Sequence, residues 1–110
     1  MKEFENSVYY NGSDYCMQSL KLQEISENAE TPFYVYDMDY IIKKYNKLKA
    51  SFPWENVRLF YAMKANFNPV MLKIMKENGF CLDTVSPAEV ILAKKLGFAS
   101  ENILFTANNM

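Results

Sequence analysis

The sequence has no histidine among its 110 residues, and it has a single arginine, Arg58. Without histidine there is no Ser-His or Cys-His pair, so acid–base chemistry must use Lys, Asp, Glu, Tyr or Cys, or groups supplied from elsewhere. The two cysteines, Cys16 and Cys81, are far apart and form no CxxC motif. A zinc site would therefore have too few good ligands, and we expect two free thiols and no metal.

Several other features are missing. The 12 basic and 13 acidic residues leave a net charge of -1, without the basic cluster that nucleic-acid binding requires. No apolar run approaches the length needed to cross a membrane. Residues 1–6 lack the apolar core of a signal peptide, so we expect a cytoplasmic protein. The hydrophobic content of 50% is typical of a globular chain, and the length allows one domain at most.

The first thirty residues predict short elements. Residues 7–15 read as two short strands joined by a turn at Asn11-Gly12. Ser19 is a candidate N-cap for a short helix that extends to Glu27, and Thr31-Pro32 ends that segment.

From residue 33 onward, apolar strands alternate with helices. The spacing of Ile41, Tyr45, Leu48 and Phe52 predicts one buried face of an amphipathic helix. The alternation predicts a parallel sheet. There is no GxGxxG motif and no P-loop, which leaves the (β/α)₈ barrel as the favoured α/β architecture. The predicted strands are residues 33–36, 57–62, 80–85 and 102–106, and the predicted helix N-caps are Asp37, Asn68 and Ser86.

Lys64 is the most unusual lysine of the chain, because it stands inside the aromatic and aliphatic run FYAMKAN, residues 60–66. A lysine at a strand end either extends to solvent or performs chemistry, and a partly desolvated amine can attack an aldehyde to form a Schiff base. Asp83 lies near the end of the next predicted strand, and Thr106 ends the last one. In a barrel, catalytic groups occupy these carboxyl ends.

The length conflicts with a complete barrel, which takes roughly 250 residues. The chain reaches only about the fourth strand, and an open half-barrel would leave an unpaired edge and an exposed apolar face. We therefore expect the N-terminal part of a longer protein, or a truncated product.

Four sequence blocks carry a family resemblance. The blocks are TPFYVYD (31–37), YAMKAN (61–66), LDTVSPAE (82–89) and ILFTANN (103–109). In order and at matching spacing, they resemble the N-terminal quarter of the diaminopimelate decarboxylase family, pyridoxal-phosphate enzymes of fold type III with an alanine-racemase-like barrel. The resemblance extends from about residue 20 to residue 110. Ala88 and Ala107 stand where relatives often have glycine.

The resemblance implies a cofactor, a reaction and a domain division. Lys64 would carry pyridoxal 5'-phosphate as a Schiff base, with Asp83 and Glu89 close to the cofactor. The substrate would be a small amino acid, meso-diaminopimelate, converted to L-lysine and CO₂ by a homodimer. Residues 1–30 would belong to a second β-domain, and residues 31–110 would form the first βα units of a barrel. The family's phosphate-binding and substrate-binding segments come later, so this chain alone is expected to be inactive.

Other interpretations stay open from the sequence. Lys64 could be a solvated strand-end lysine, and Asp83 a carboxylate satisfied by backbone amides. Glu89 follows Ser86 at capping-box spacing, which gives it a structural role of its own. The protein could be a related decarboxylase acting on ornithine, arginine or carboxynorspermidine, or a racemase. A cofactor-binding module without turnover is the third possibility.

Overall fold

The computed structural model describes residues 7–106, and the chain forms two compact units, Met1–Ile41 and Ile42–Met110. Residues 1–6 and the end of the last resemblance block, residues 107–109, lie outside the described residues. The assignment of residues 1–30 to a β-domain completed by a later segment stays a prediction.

The first unit contains a small antiparallel sheet. Its strands are β1 (Val8–Tyr10), β2 (Tyr15–Met17) and β3 (Leu20–Lys21), paired in the order β1-β2-β3. The turn between β1 and β2 is fixed by Asn11, whose Oδ1 accepts the backbone N–H of Ser13 at 2.9 Å and of Asp14 at 2.8 Å. Gly12 has φ +107°, which explains a glycine at this position. The predicted turn is confirmed.

The predicted helix start at Ser19 is wrong. Leu20 pairs with Met17 and Lys21 with Cys16, so the chain continues as a strand before helix α1 (Leu22–Glu27) begins. Within this segment, the Glu24 carboxylate accepts the backbone N–H of Lys21 at 3.4 Å. Strand pairing with β2 therefore overrides the capping preference of Ser19.

The strand predicted at residues 33–36 is also wrong. This segment is not part of a strand, and Tyr34 is 88% exposed. Strand propensity reflects how well a side chain fits against neighbouring strands, and among residues 7–106 no strand pairs with this segment.

Helix α2 (Met38–Ala50) begins where the sequence predicts. The N-cap Asp37 accepts the backbone N–H of Tyr40 at 3.0 Å. The predicted apolar face is buried only at Tyr45, whereas Leu48 is 53% exposed and Phe52 37% exposed.

Tyr45 belongs to the second unit and packs within it. Its ring stacks on Phe80 with centroids 3.8 Å apart, and its hydroxyl donates to the Gly79 carbonyl at 2.8 Å. Burial, and secondarily the nearby Cys81, raises the pKa of Tyr45 above its ordinary value.

The second unit is built on a parallel sheet. Strands β4 (Phe60–Ala62), β5 (Cys81–Thr84) and β6 (Ile103–Phe105) pair in the order β4-β5-β6. Helix α3 (Pro69–Glu77) connects β4 to β5, and helix α4 (Pro87–Lys95) connects β5 to β6. The predicted parallel βα units are confirmed from β4 onward, and the strands are shorter than predicted.

Both connecting helices start and stop as their sequences predict. Asn68 Oδ1 accepts the backbone N–H of Val70 at 3.0 Å, and Pro69 occupies the first helical position of α3. Gly79 and Gly97 follow the two helices with φ of +82° and +84°. The largest fully buried side chains of the second unit form its core: Met63, Leu72, Met75, Leu82, Thr84 and Phe98.

The cysteine prediction is confirmed, since Cys16 and Cys81 are both buried and free. Among residues 7–106, no group of three or more His, Cys, Asp or Glu side chains could hold a metal ion. Over the same residues, none of the helices has both the length and the apolar character that crossing a bilayer requires.

Candidate active site at the carboxyl edge of the parallel sheet

The register of the parallel sheet determines which residues share its carboxyl edge. Ala62 pairs with Asp83, and Asp83 pairs with Leu104. Lys64 follows this row by two residues on the β4 side, and Thr106 follows it by two residues on the β6 side. The sheet therefore brings the predicted strand-end residues to one edge, where α/β barrels place their catalytic groups.

Lys64 lies in a single 3-10 turn, Met63–Ala65, directly after β4. Met63 is fully buried and anchors this turn, whereas the Lys64 side chain is exposed. The residue of this turn that faces the apolar core is thus Met63 and not Lys64. Within residues 7–106, the Lys64 amine makes no hydrogen bond or ion pair. The Lys64 side chain is therefore open to a carbonyl compound at this edge, without the partial desolvation that the sequence suggested.

The backbone after Lys64 is held on both sides. Asn66 Oδ1 accepts the N–H of Asn68 at 3.0 Å, so the Asn66 side chain binds the backbone of the loop after Lys64. The Tyr61 hydroxyl, from β4, donates to the Asn66 carbonyl at 3.1 Å. Because Asn68 also caps α3, the loop that presents Lys64 is fixed between β4 and α3.

Asp83 is half-buried near the end of β5, and its partner is a side chain rather than the backbone amides that the alternative interpretation required. The Thr106 hydroxyl donates to Asp83 Oδ1 at 2.7 Å. The backbone N–H of Thr106 donates to the Thr84 carbonyl at 2.8 Å, which extends the pairing of β5 and β6.

Glu89 lies in the first turn of α4, and its carboxylate is engaged by the backbone. Glu89 Oε2 accepts the N–H of Val85 at 2.7 Å, and the N–H of Glu89 donates to Ser86 Oγ at 3.3 Å. This is close to a capping box, except that the carboxylate binds the residue before the N-cap. The structural interpretation of Glu89 is therefore supported, and a role beside the cofactor stays a prediction.

A cavity of about 260 Å³ lies between the loop after Lys64 and the start of α4. Phe67, from that loop, faces the first two turns of the helix across this space. Glu89 is thereby close to the loop, although no hydrogen bond or ion pair joins Lys64, Asp83 and Glu89 to one another. The lining residues are Phe67, Ser86, Ala88, Glu89 and Leu92.

The sequence did not indicate the contacts of Arg58. Its guanidinium donates to Asn102 Oδ1 at 2.6 Å and to the Glu101 carbonyl, and it lies 5.2 Å from the centre of the Phe60 ring. The same group lies 3.7 Å from Cys81 Sγ. One side chain thus joins the amino ends of β4, β5 and β6. The available signal was the presence of the only arginine near the start of the strand predicted at residues 57–62.

The pairing of Thr106 with Asp83 was missed as well. The sequence places both residues at strand ends, but their contact depends on the register between β5 and β6. The signal that could have found it is the presence of a hydroxyl donor and a carboxylate at the carboxyl ends of neighbouring parallel strands.

Comparison with known proteins places these residues in context. Residues 38–110 match the family described as "Pyridoxal-dependent decarboxylase, pyridoxal binding domain". Diaminopimelate decarboxylase of Aquifex aeolicus is 33% identical over 105 residues, which cover 96% of this chain and 24% of that protein. The enzyme of the same name from Methanothermobacter thermautotrophicus is 39% identical over 89 residues, covering 79% of this chain and 21% of that protein.

A solved structure shows the same architecture. The crystal structure of diaminopimelate decarboxylase from M. jannaschi is similar at a TM-score of 0.86 and 28% identity, over 93% of this chain and 25% of that chain. The chain therefore spans about a quarter of the length of the proteins it matches. The predicted fold class is confirmed: the second unit has the parallel βα architecture of part of an α/β barrel.

Proposed function

Because the chain belongs to the pyridoxal-dependent decarboxylases, within their pyridoxal-binding domain, we propose that it forms part of an amino-acid decarboxylase that converts meso-diaminopimelate to L-lysine and CO₂. The observation that carries the proposal is the exposed Lys64 amine at the carboxyl edge of the parallel sheet. The choice of substrate is supported by two relatives that bear the name diaminopimelate decarboxylase.

The residues at this edge fit pyridoxal 5'-phosphate, the cofactor of the family. The cofactor carries an aldehyde, and the reactive partner of an aldehyde is a free amine. Lys64 offers such an amine on a short turn that is fixed by the buried Met63. Asp83 keeps a carboxylate at the same edge, on the neighbouring strand. The amine of Lys64 and the carboxylate of Asp83 are therefore chemically compatible with pyridoxal 5'-phosphate.

Each residue has a proposed task. Lys64 would hold the cofactor through its amine, and Asp83 and Glu89 would line the cofactor site. When bound, pyridoxal 5'-phosphate supplies an electron sink for the electron pair left behind as CO₂ departs. The carbon that loses the carboxyl group then needs a proton, and Lys64 Nζ would donate it.

The assembly and location are proposals of the same kind. We propose a homodimer in the cytoplasm, which the family resemblance supports. Light scattering on the native gene product would give twice the mass of one chain. A monomeric mass under conditions where the protein turns over substrate would contradict the dimer.

The test of the cofactor site is reductive trapping. The native gene product is incubated with pyridoxal 5'-phosphate, reduced with borohydride, digested and mapped by mass spectrometry. We expect selective modification of Lys64, lost in Lys64→Ala. The matched control is Lys73→Ala, which removes an exposed lysine of α3 and should leave the labelling unchanged. Modification spread over surface lysines would overturn the proposal.

The substrate is tested separately, by release of labelled CO₂ from carboxyl-labelled amino acids. We expect release from meso-diaminopimelate at a rate well above that from L-ornithine or L-arginine. A preference for either of the latter would retain the cofactor site and assign the protein to a related decarboxylase. Racemisation without CO₂ release would overturn the decarboxylase assignment.

A further inference from the structure

We propose that Thr106 is a positioning residue that sets the orientation of the Asp83 carboxylate at the cofactor site. The inference rests on the proposed function above and adds a residue to it. The observation behind it is the hydrogen bond from the Thr106 hydroxyl to Asp83 Oδ1, whose length of 2.7 Å is in the range of hydroxyl donors to ionised carboxylates.

An aspartate side chain needs such a partner to hold one orientation. The terminal torsion of Asp has a broad, roughly two-fold preference, so rotamer energies alone do not orient the carboxylate. A hydroxyl that binds one oxygen selects one orientation. At Asp83 the bound oxygen is Oδ1, and within residues 7–106 Oδ2 has no hydrogen-bond partner. Oδ2 is therefore available to a donor at the cofactor site.

The position of the donor is itself determined by the sheet. The backbone N–H of Thr106 donates to the Thr84 carbonyl at 2.8 Å. Thr84 is fully buried, and its hydroxyl donates to the Leu104 carbonyl at 2.8 Å. Two bonds between β5 and the end of β6 thus hold the backbone that carries the Thr106 hydroxyl. The register between β5 and β6 therefore determines where the Thr106 hydroxyl meets Asp83 Oδ1.

The test compares variants of the native gene product, with the dissociation constant of pyridoxal 5'-phosphate measured by absorbance titration. Thr106→Val keeps the shape and removes the donor, and we expect the constant to rise by about three- to tenfold, as for the loss of one hydrogen bond of ordinary strength. Thr106→Ser keeps the donor and should stay within about twofold of the wild type. The control Thr31→Val makes the same change outside the parallel sheet and should have no effect.

A double-mutant cycle separates positioning from general stability. If Thr106 acts through Asp83, Thr106→Val should add nothing to the effect of Asp83→Asn, because the oriented carboxylate is already gone. Additive effects would overturn the inference, as would a Thr106→Val protein with wild-type affinity. If Thr106→Val does not fold, Thr106→Ala carries the same cycle.

The outcome also distinguishes this inference from the proposed function. Wild-type protein that labels selectively at Lys64, together with an unaffected Thr106→Val variant, overturns the role of Thr106 alone. Wild-type protein without selective Lys64 labelling overturns the proposed function, and the role of Thr106 with it.

Discussion

The two sheets formed by residues 7–106 are stabilised by different means. In the antiparallel sheet, side chains bind the backbone locally, as Asn11 does in its turn, while Tyr10 and Tyr15 are 59% and 63% exposed. In the parallel sheet, the central strand β5 is buried at Cys81, Leu82 and Thr84. Stability in the first sheet therefore depends on short-range polar contacts, and in the second on the removal of apolar surface from water.

The largest expected effect comes from the centre of the parallel sheet. Leu82 has no exposed surface, so Leu82→Ala should lower the free energy of unfolding by about 2–5 kcal/mol through lost burial and a residual cavity. The matched control is Leu104→Ala on β6, where the side chain is 48% exposed and the loss should be much smaller. Chemical denaturation measures both, and equal losses would contradict the assignment of the core.

A smaller effect is expected at the loop that presents Lys64. Asn68→Ala removes the N-cap of α3 and should cost about 1 kcal/mol of stability. Asn68→Ser retains a capping oxygen and should recover most of the loss. The measurement is again chemical denaturation. An Asn68→Ser variant as unstable as Asn68→Ala would show that the cap is not what Asn68 contributes.

The turn of the antiparallel sheet should respond locally. Asn11→Ala removes the acceptor for the N–H groups of Ser13 and Asp14, so these two amides should exchange with solvent faster, by about tenfold or less. Amide exchange followed by NMR measures this, with the amide of Leu82 as the internal reference. Equal acceleration at Leu82 would break the contrast between the two sheets.

The smallest effect is a pH dependence in the same turn. The Ser13 hydroxyl, and secondarily Lys21 at 3.0 Å, lowers the pKa of Asp14 below its ordinary value of 3.8. Because folding lowers this pKa, the ionised Asp14 stabilises the folded state at pH values above 3.8. That stabilisation is lost as the pH falls through the folded-state pKa. Carboxyl NMR titration should therefore show a higher midpoint in Ser13→Ala than in the wild type. Identical midpoints would remove the proposed role of Ser13.

Local signals predicted the elements that depend on nearby residues. The Asn11-Gly12 turn and the caps Asp37, Asn68 and Ser86 each satisfy backbone groups within four residues, so their chemistry is readable in sequence. The parallel βα units were predictable because buried strands have a distinct composition. Lys64 could likewise be singled out from its neighbours alone.

The features that were not predicted depend on contacts between distant segments. Leu20 lies in a strand because it pairs with β2. Residues 33–36 form no strand, because none of the described strands pairs with them. The contact between Thr106 and Asp83 spans 23 positions and depends on register. Of the predicted apolar face of α2, only Tyr45 is buried. Which residues of such a face are buried depends on what packs against the helix, and a periodic pattern does not reveal that.

Arg58 makes the two ends of the parallel sheet structurally different. By binding Glu101 and Asn102 and covering Phe60, its guanidinium closes the amino end, while the carboxyl end keeps the exposed amine of Lys64. In α/β barrels, residues at the amino end serve stability and those at the carboxyl end serve chemistry. Substitutions near Arg58 should therefore mainly change the melting temperature, whereas under the proposed function substitutions near Lys64 should mainly change turnover. An engineer could redesign one end of this sheet while leaving the other untouched.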